Sequence, residues 1–221
     1  MSEPFTGINF LKKPRLVLLD SSGTLVNDSI ATFLGFRKIF KLYGRSLSFR
    51  EFKEEFCLPC SHFLARKGLP NSVFNDFLEM FNTFYLDSIG YIKPFPDVKE
   101  CLQKLIDRGI KVGLVSATPT ETLMATLKRF NLLDCFDTVV GDAQKPSPTP
   151  IFQACKEMGE KPSKRVIYIG DMEEDIICAK RAGVTAIGIS RPNGGYHEQY
   201  KLMMQSPRYL VKDFHELLGL L

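Results

Sequence analysis

The clearest pattern in the chain is a series of short apolar runs that alternate with segments of helical spacing. Apolar runs bounded by turn residues are typical of buried strands, and apolar residues three and four positions apart are typical of amphipathic helices. The runs that predict strands are 15–19, 111–116, 138–140, 165–169, 186–189 and 209–211. Because helical segments separate most of these runs, we predict a parallel sheet with helices on both faces.

The stretch after the first predicted strand breaks this alternation. Residues 28–90 have apolar positions at helical spacing and contain no convincing strand, and Asn27 and Asp28 offer a cap to the first helix. We therefore predict an α/β fold with two parts. A Rossmann-like parallel sheet core comprises residues 1–27 and 91–221, and an all-helical cap domain comprises residues 28–90.

Polar residues stand at the ends of the predicted strands. Asp20 follows the first run, Ser116 closes the second, Lys145 lies in the loop after the third, and Asp171 follows the fourth after one glycine. Taken singly, each has an ordinary structural explanation as a turn residue, a helix cap or a solvated charge. Because ligands bind where the carboxyl ends of parallel strands meet, we expect these four residues to converge.

Such a set of groups suits phosphoryl chemistry. Mg²⁺ takes oxygen ligands, usually one or two carboxylates together with substrate phosphate. A lysine and the amides of a turn can neutralise the charge of a phosphoryl group. A carboxylate such as Asp20 can act as a nucleophile and form an aspartyl-phosphate.

The order of these groups resembles the haloacid dehalogenase-like (HAD) superfamily, in the phosphoglycolate phosphatase-like branch with a helical cap inserted after the first strand. The family's first motif, Asp-x-Asp-Gly-Thr, stands here as Asp-Ser-Ser-Gly-Thr at residues 20–24. The second motif stands as Ser116, the third as the Lys-Pro-Ser-Pro that begins at Lys145, and the fourth as the acidic segment 170–175. Each motif is weak alone, but the four in order are specific.

The resemblance implies a role for each position. Asp20 would be the nucleophile, and Lys145 would neutralise charge between Asp20 and the phosphate. The residues implied in substrate binding are Ser21, Ser22, Ser116, Ala117 and Lys145. The implied ligands of a Mg²⁺ cofactor are Asp20, the Ser22 carbonyl and Asp171, with Thr24 and Asp175 in support.

Ser22 departs from the family pattern, because phosphatases of the family carry a second Asp at this position. The backbone carbonyl of that Asp binds Mg²⁺ and its carboxylate transfers protons, and a serine retains only the carbonyl. General acid–base help is worth about 10²–10⁴-fold, or about 3–5 kcal/mol of barrier. The loss at Ser22 should fall hardest on alkoxide leaving groups.

Three functions are consistent with this sequence. The favoured one is a Mg²⁺-dependent phosphatase-type hydrolase that acts on a small phosphorylated metabolite through an aspartyl-phosphate on Asp20, with reduced or narrowed activity. The second is non-phosphatase HAD chemistry of the dehalogenase or phosphonate hydrolase type. Dehalogenases need no metal, yet Asp171 and Asp175 still suit one. Phosphonate-cleaving relatives use a lysine of the cap, and residues 58–64 contain none, although Lys67 is near. The third is a catalytically impaired binding protein that retains the pocket.

Composition narrows the classes of partner. The 29 Lys and Arg residues exceed the 25 Asp and Glu residues by 4 and are scattered, so nucleic-acid binding is not expected. The sequence has no apolar run of about 18 residues and no signal-peptide pattern, so a membrane partner is not expected either. The six cysteines suggest free thiols in a reducing compartment. We expect a cytoplasmic monomer or homodimer.

A few residues in the helical stretch have two interpretations. Cys57 and Cys60 have redox or metal spacing, but they lack a second Cys/His pair and are expected to pack as apolar side chains. His62, Arg66 and Lys67 could contact substrate, although a surface position is the more ordinary explanation.

Overall fold

The structure, a computed structural model, describes residues 13–70 and 72–221 of the chain. The strands are β1 (Leu16–Leu19), β2 (Val26–Asn27), β3 (Lys93–Pro94), β4 (Lys111–Val115), β5 (Thr138–Val140), β6 (Val166–Gly170), β7 (Thr185–Ile189) and β8 (Tyr209–Val211). The helices are α1 (Ser29–Leu42), α2 (Phe49–Glu55), α3 (Cys60–Arg66), α4 (Val73–Asp87), α5 (Val98–Asp107), α6 (Thr120–Arg129), α7 (Thr149–Glu157), α8 (Glu173–Arg181), α9 (Gln199–Met204) and α10 (Phe214–Leu220).

Six of the strands form one parallel sheet in the order β5-β4-β1-β6-β7-β8. The first strand lies in the interior of this sheet, where Leu16 is in register with Lys111 of β4 and with Val166 of β6. The predicted Rossmann-like α/β class is confirmed. Because every pairing is parallel, the carboxyl ends of β1, β4 and β6 lie at the same edge.

The sheet is buried on both faces, because successive residues of β1 point into different clusters. Leu16 and Leu18 pack with side chains of α7, α8 and α9, whereas Val17 and Leu19 pack with those of α5, α6 and α10. All four side chains are fully buried, and burial of one such side chain contributes about 1.5–3 kcal/mol. In the described part of the chain, each helix is too short or too polar to cross a lipid bilayer.

Helices α1–α4 share an aromatic cluster of their own. Phe36 of α1 is at its centre, with ring centroids 5.1–5.7 Å from five other phenylalanines: Phe52, Phe56, Phe63, Phe77 and Phe81. Met172 and Tyr196 enter this cluster from the other part of the chain. The chain leaves and returns through the antiparallel pair β2–β3. The domain limits at 27/28 and 90/91 stay a prediction.

A buried arginine ties the turn after β1 to the C-terminal helix. The Arg191 guanidinium donates to the Asp97 carboxylate at 2.6 Å and to the Thr24 carbonyl at 2.9 Å. It also lies 4.3 Å from the Phe95 ring centroid and 4.5 Å from that of Phe214. The same Asp97 oxygen accepts the backbone N–H of Phe214 at 2.7 Å. We call this group the Arg191 clasp.

Candidate active site

The centre of the site is a buried lysine between two carboxylates. Asp20 follows β1 and is 4% exposed, and its Oδ1 lies 2.6 Å from the Lys145 ammonium. The same ammonium lies 2.7 Å from Oδ1 of Asp175, at the start of α8. The fold brings Asp20 and Lys145 together although they are 125 positions apart in the chain. An ammonium held in this way is fixed in place and carries its charge into the site.

The turn after Asp20 is tight because one carbonyl organises it. The Ser21 carbonyl accepts the N–H groups of Thr24, Leu25 and Val26 at 3.3, 2.8 and 3.0 Å. Gly23 has a φ of +73°, and a Cβ at this position would collide with the Asp171 carboxylate. Only glycine therefore allows this turn and the carboxylate of Asp171 to approach each other so closely.

Asp171 completes a group of three buried carboxylates. One oxygen of each of Asp20, Asp171 and Asp175 lies within 4.8 Å of the others. Asp171 accepts hydrogen bonds from the Thr24 hydroxyl at 3.2 Å and from the Tyr196 backbone N–H at 2.5 Å. Burial raises the pKa of Asp171 well above its usual range, and the charges of Asp20 and Asp175 raise it further.

Burial of the carboxylates dominates the electrostatics of the site, and their mutual repulsion adds to it. Burial raises the pKa of Asp20 to about 7, although the nearby Lys145 opposes the shift. Burial would lower the pKa of Lys145, but Asp175 and Asp20 outweigh it and raise that pKa above its usual value. The site therefore keeps its lysine charged and favours an additional cation beside the carboxylates.

Asp175 is itself held in place by two hydrogen bonds besides its contact with Lys145. Its Oδ2 accepts the backbone N–H of Met172 at 3.0 Å, and its Oδ1 lies 2.9 Å from the Tyr168 hydroxyl. Gly170 leaves the necessary space, since a Cβ there would collide with the Asp175 side chain. These contacts orient the carboxylate that positions Lys145.

Two hydroxyls lie in the loop after β4, at a pocket that Asp20 also lines. Ser116 donates to the Thr118 hydroxyl at 3.2 Å, and that hydroxyl lies 3.3 Å from the Ser22 hydroxyl. Ser22, Ser116, Ala117 and Thr118 line the same pocket as Asp20 and Lys145. Thr118 is absent from the sequence prediction. Its position two residues after Ser116, on the same loop, is the only signal that could have suggested it.

The structure places the remaining predicted residues beside the pocket rather than on its wall. Ser21 is not among the pocket-lining residues, but its backbone hydrogen-bonds to the Asp20 carboxylate. Thr24 acts on Asp171 through its hydroxyl, as described above. Both therefore contact the acidic groups and not the open space.

Asp28 is a functional candidate that the sequence prediction missed. It precedes α1, but the expectation that its side chain caps this helix is wrong, because no capping hydrogen bond is present. Its carboxylate is buried and accepts hydrogen bonds from the Tyr85 hydroxyl at 2.9 Å and the Tyr196 hydroxyl at 3.1 Å. Burial raises the pKa of Asp28, and hydrogen bonds from Ser22 and the two tyrosines oppose this shift. Asp28 also lines the pocket.

Of the sequence candidates in the helical stretch, Cys60 lines the pocket and the others do not. Cys57 and Cys60 pack against the aromatic cluster, and burial raises the pKa of both thiols, so neither is a reactive thiolate. Arg66 donates to Cys57 Sγ at 3.0 Å, and Lys67 pairs with Glu55 at 2.6 Å. His62 is exposed. The pocket is lined by Cys60 but not by His62, Arg66 or Lys67.

The loop 190–198 connects the site to the helical stretch. His197 is buried and hydrogen-bonds through Nε2 to the Phe56 carbonyl at 3.0 Å, while its Nδ1 accepts the backbone N–H of Glu173 at 3.1 Å. Lys53 of α2 donates to the Gly195 carbonyl. These bonds hold the loop that presents the Tyr196 N–H to Asp171.

His197 predicts a loss of stability in mild acid. Burial lowers its pKa below the usual 6.5, although the Phe56 carbonyl and Glu173 oppose the shift. Its contribution is therefore complete above about pH 6.5 and is lost as the pH falls through the lower pKa of the folded protein. We expect the free energy of unfolding, measured in urea from pH 7.5 to 5, to fall less steeply in His197→Gln than in the unaltered protein. Equal slopes would contradict this role, and exposed His62→Gln should match the unaltered protein.

Comparisons with known proteins agree with this arrangement. The sequence profile of the haloacid dehalogenase-like hydrolases matches residues 17–189. A phosphoglycolate phosphatase of Aquifex aeolicus is 30% identical over 213 residues, which are 94% of this chain and 96% of that protein. Another from Pseudomonas fluorescens is 27% identical over 218 residues, 93% of this chain and 79% of that protein.

A solved structure has the same fold. The crystal structure of a putative phosphoglycolate phosphatase from Lactobacillus plantarum superposes with a TM-score of 0.84 at 17% identity, covering 95% of this chain and 100% of that one. At this identity the likeness concerns the fold alone. The profile match over most of the chain, the full-length relatives and the fold together show that this protein belongs to the haloacid dehalogenase-like hydrolase family, in its phosphoglycolate phosphatase-like branch.

Proposed function

We propose that this protein is a Mg²⁺-dependent hydrolase of phosphate esters and acyl phosphates that works through an aspartyl-phosphate on Asp20. The observation that carries the proposal is the buried group of Asp20, Asp171, Asp175 and Lys145, which opens into a pocket lined by Ser116 and Thr118. The phosphatases among its relatives support a phosphorylated substrate.

The donor set fits Mg²⁺. Hard cations take oxygen ligands, and three buried carboxylates face only one ammonium at this position. Asp20, the Ser22 carbonyl and Asp171 would hold the ion, while Asp175 positions Lys145. When bound, the ion supplies positive charge against the transferring phosphoryl group.

Two displacements at phosphorus then account for hydrolysis. An Asp20 oxygen forms a bond to phosphorus as the ester P–O bond breaks, and the departing oxygen takes up a proton. Water next attacks the aspartyl-phosphate, the bond between phosphorus and Asp20 breaks, and inorganic phosphate leaves. Lys145 and the hydroxyls of Ser116 and Thr118 surround the position of the phosphoryl oxygens. No carboxylate stands at Ser22 to give or take the protons.

Acetyl phosphate tests this function most directly, because its leaving group needs little protonation. We expect phosphate release in Mg²⁺, its loss in EDTA and its return when Mg²⁺ is restored. Asp20→Asn should abolish release, whereas Asp134→Asn, outside the pocket, should not. Halide release from a haloacid in EDTA would instead favour the dehalogenase type, and binding of phosphate without any turnover would favour the impaired binding protein.

The proposal also covers the cellular compartment and the oligomeric state. All six cysteines are free thiols, as a reducing cytoplasm would leave them. We place the protein in the cytoplasm, as a monomer or homodimer that acts on a small phosphorylated metabolite and not on nucleic acid or membranes.

A further inference from the structure

The pocket above Asp20 is apolar on the side that would receive the leaving group. Its wall there is formed by side chains of the helical stretch, including Phe36, Phe77, Leu78 and Phe81, together with Met172. The polar groups on this side are Asp28, Thr32 and the hydroxyls of Tyr85 and Tyr196, which bond to one another. A leaving group in this space would mostly contact hydrocarbon.

None of the described residues that line the pocket offers a free cation to an anionic leaving group. Among the described residues that line it, Lys145 is the one cation, and its ammonium is already held by Asp20 and Asp175 at 2.6 and 2.7 Å. Among the described lining residues, the one charged group on the leaving-group side is the buried carboxylate of Asp28. The charge beyond the phosphate site is therefore zero or negative.

Three cations of the helical stretch have partners outside the pocket. Lys53 donates to the Gly195 carbonyl, Arg66 to Cys57 Sγ and Lys67 to Glu55. None of these three lines the pocket.

We propose that the preferred substrates are phosphate monoesters of an uncharged, apolar group, such as an aryl or arylmethyl group, and that esters bearing a carboxylate, such as phosphoglycolate, are disfavoured. This inference rests on the proposed phosphatase function for the identity of the phosphate site. A carboxylate on the leaving group would lose its water beside Asp28 with no cation to compensate. An aromatic ring would instead bury its surface against the phenylalanines.

Benzyl phosphate and phosphoglycolate form a matched pair for the test. Both carry a CH₂–O–PO₃ unit and release a primary alkoxide, so that they differ only in a phenyl ring against a carboxylate. We expect kcat/KM in Mg²⁺ to be at least about tenfold higher for benzyl phosphate. Calorimetry with the non-hydrolysable pair 2-phenylethylphosphonate and 3-phosphonopropionate should give the same order of affinity.

The two measurements separate the inference from the function on which it rests. Tighter binding of 2-phenylethylphosphonate without turnover of either ester or of acetyl phosphate supports the substrate class and rejects the catalytic function. Turnover with equal or greater kcat/KM for phosphoglycolate supports the catalytic function and overturns the substrate class. Failure to bind either phosphonate, without turnover of either ester or of acetyl phosphate, overturns both.

A substitution at Leu78 can place a positive charge at the pocket. It lines the pocket and is 49% exposed, so that an arginine can be accommodated there. We expect Leu78→Arg to raise the affinity for 3-phosphonopropionate about tenfold relative to 2-phenylethylphosphonate. Leu86→Arg is the matched control, because Leu86 lies on the same helix, is 42% exposed and does not line the pocket. Asp28→Asn should shift the ratio in the same direction, and an unchanged ratio in both Leu78→Arg and Asp28→Asn contradicts the proposal.

Discussion

Ser22→Asp is expected to raise the rate of benzyl phosphate hydrolysis about 10²–10⁴-fold, because it supplies the missing general acid and base. The Ser22 side chain is partly exposed, lines the pocket with Asp20 and lies 3.3 Å from the Thr118 hydroxyl. The introduced carboxylate would stand beside buried Asp28, whose charge raises the pKa of a neighbouring acid towards neutrality. That shift favours proton transfer near pH 7.

The choice of substrate separates acid–base chemistry from other effects of the substitution. Acetyl phosphate should gain far less in its phosphorylation step than benzyl phosphate, since an acyl leaving group departs without a proton. Rapid-quench measurement of aspartyl-phosphate formation resolves this step from its hydrolysis. Ser22→Asn has nearly the same size and cannot transfer protons, so it should remain as slow as the unaltered protein. An equal gain in rate from Ser22→Asp and Ser22→Asn would contradict the acid–base explanation.

Lys145→Met is expected to lower the free energy of unfolding by about 3–5 kcal/mol, in addition to abolishing activity, because it leaves buried carboxylates without their cation. Methionine has a similar length and adds no new polar group, so the change is mainly one of charge. The measurement is urea unfolding at pH 7 in EDTA. Added Mg²⁺ should then stabilise the variant more than the unaltered protein, if the ion binds Asp20 and Asp171.

An exposed ion pair of the same length provides the control for this change. Lys104 lies 2.6 Å from Glu100, the same distance as Lys145 from Asp20, but Lys104 is 48% exposed. Lys104→Met should leave the free energy of unfolding nearly unchanged, because water already solvates this pair. Similar losses in the two variants would show that the carboxylates of the site do not depend on Lys145.

The parallel sheet could be predicted because its strands are buried on both faces. Runs such as Leu16–Leu19 and Val166–Gly170 are apolar throughout and end in a turn, which distinguishes them from amphipathic helices. The pair β2–β3 has two residues in each strand and gives no such pattern. Helix α9 is also absent from the prediction, since a six-residue helix is too short for a clear period.

The candidate site was predictable only where chain topology determines it. Parallel pairing brings the ends of β1 and β6 together, so that the proximity of Asp20 and Asp171 follows from strand order. The contacts of Asp28 with Tyr85 and Tyr196 span 57 and 168 positions and depend on how the helices pack. No periodicity encodes such a contact. The roles of the site residues, Ser22 above all, stay predictions until activity is measured.

The central position of β1 and the Arg191 clasp bear on when the protein becomes competent during its synthesis. Asp20 and its turn precede both strands that pair with β1, because β1 is paired on one side by residues 111–114 and on the other by 166–169. The clasp that holds the Thr24 carbonyl adds residues 191 and 214. Asp20 is therefore synthesised well before its site can assemble, and activity should appear only after residue 214 has left the ribosome.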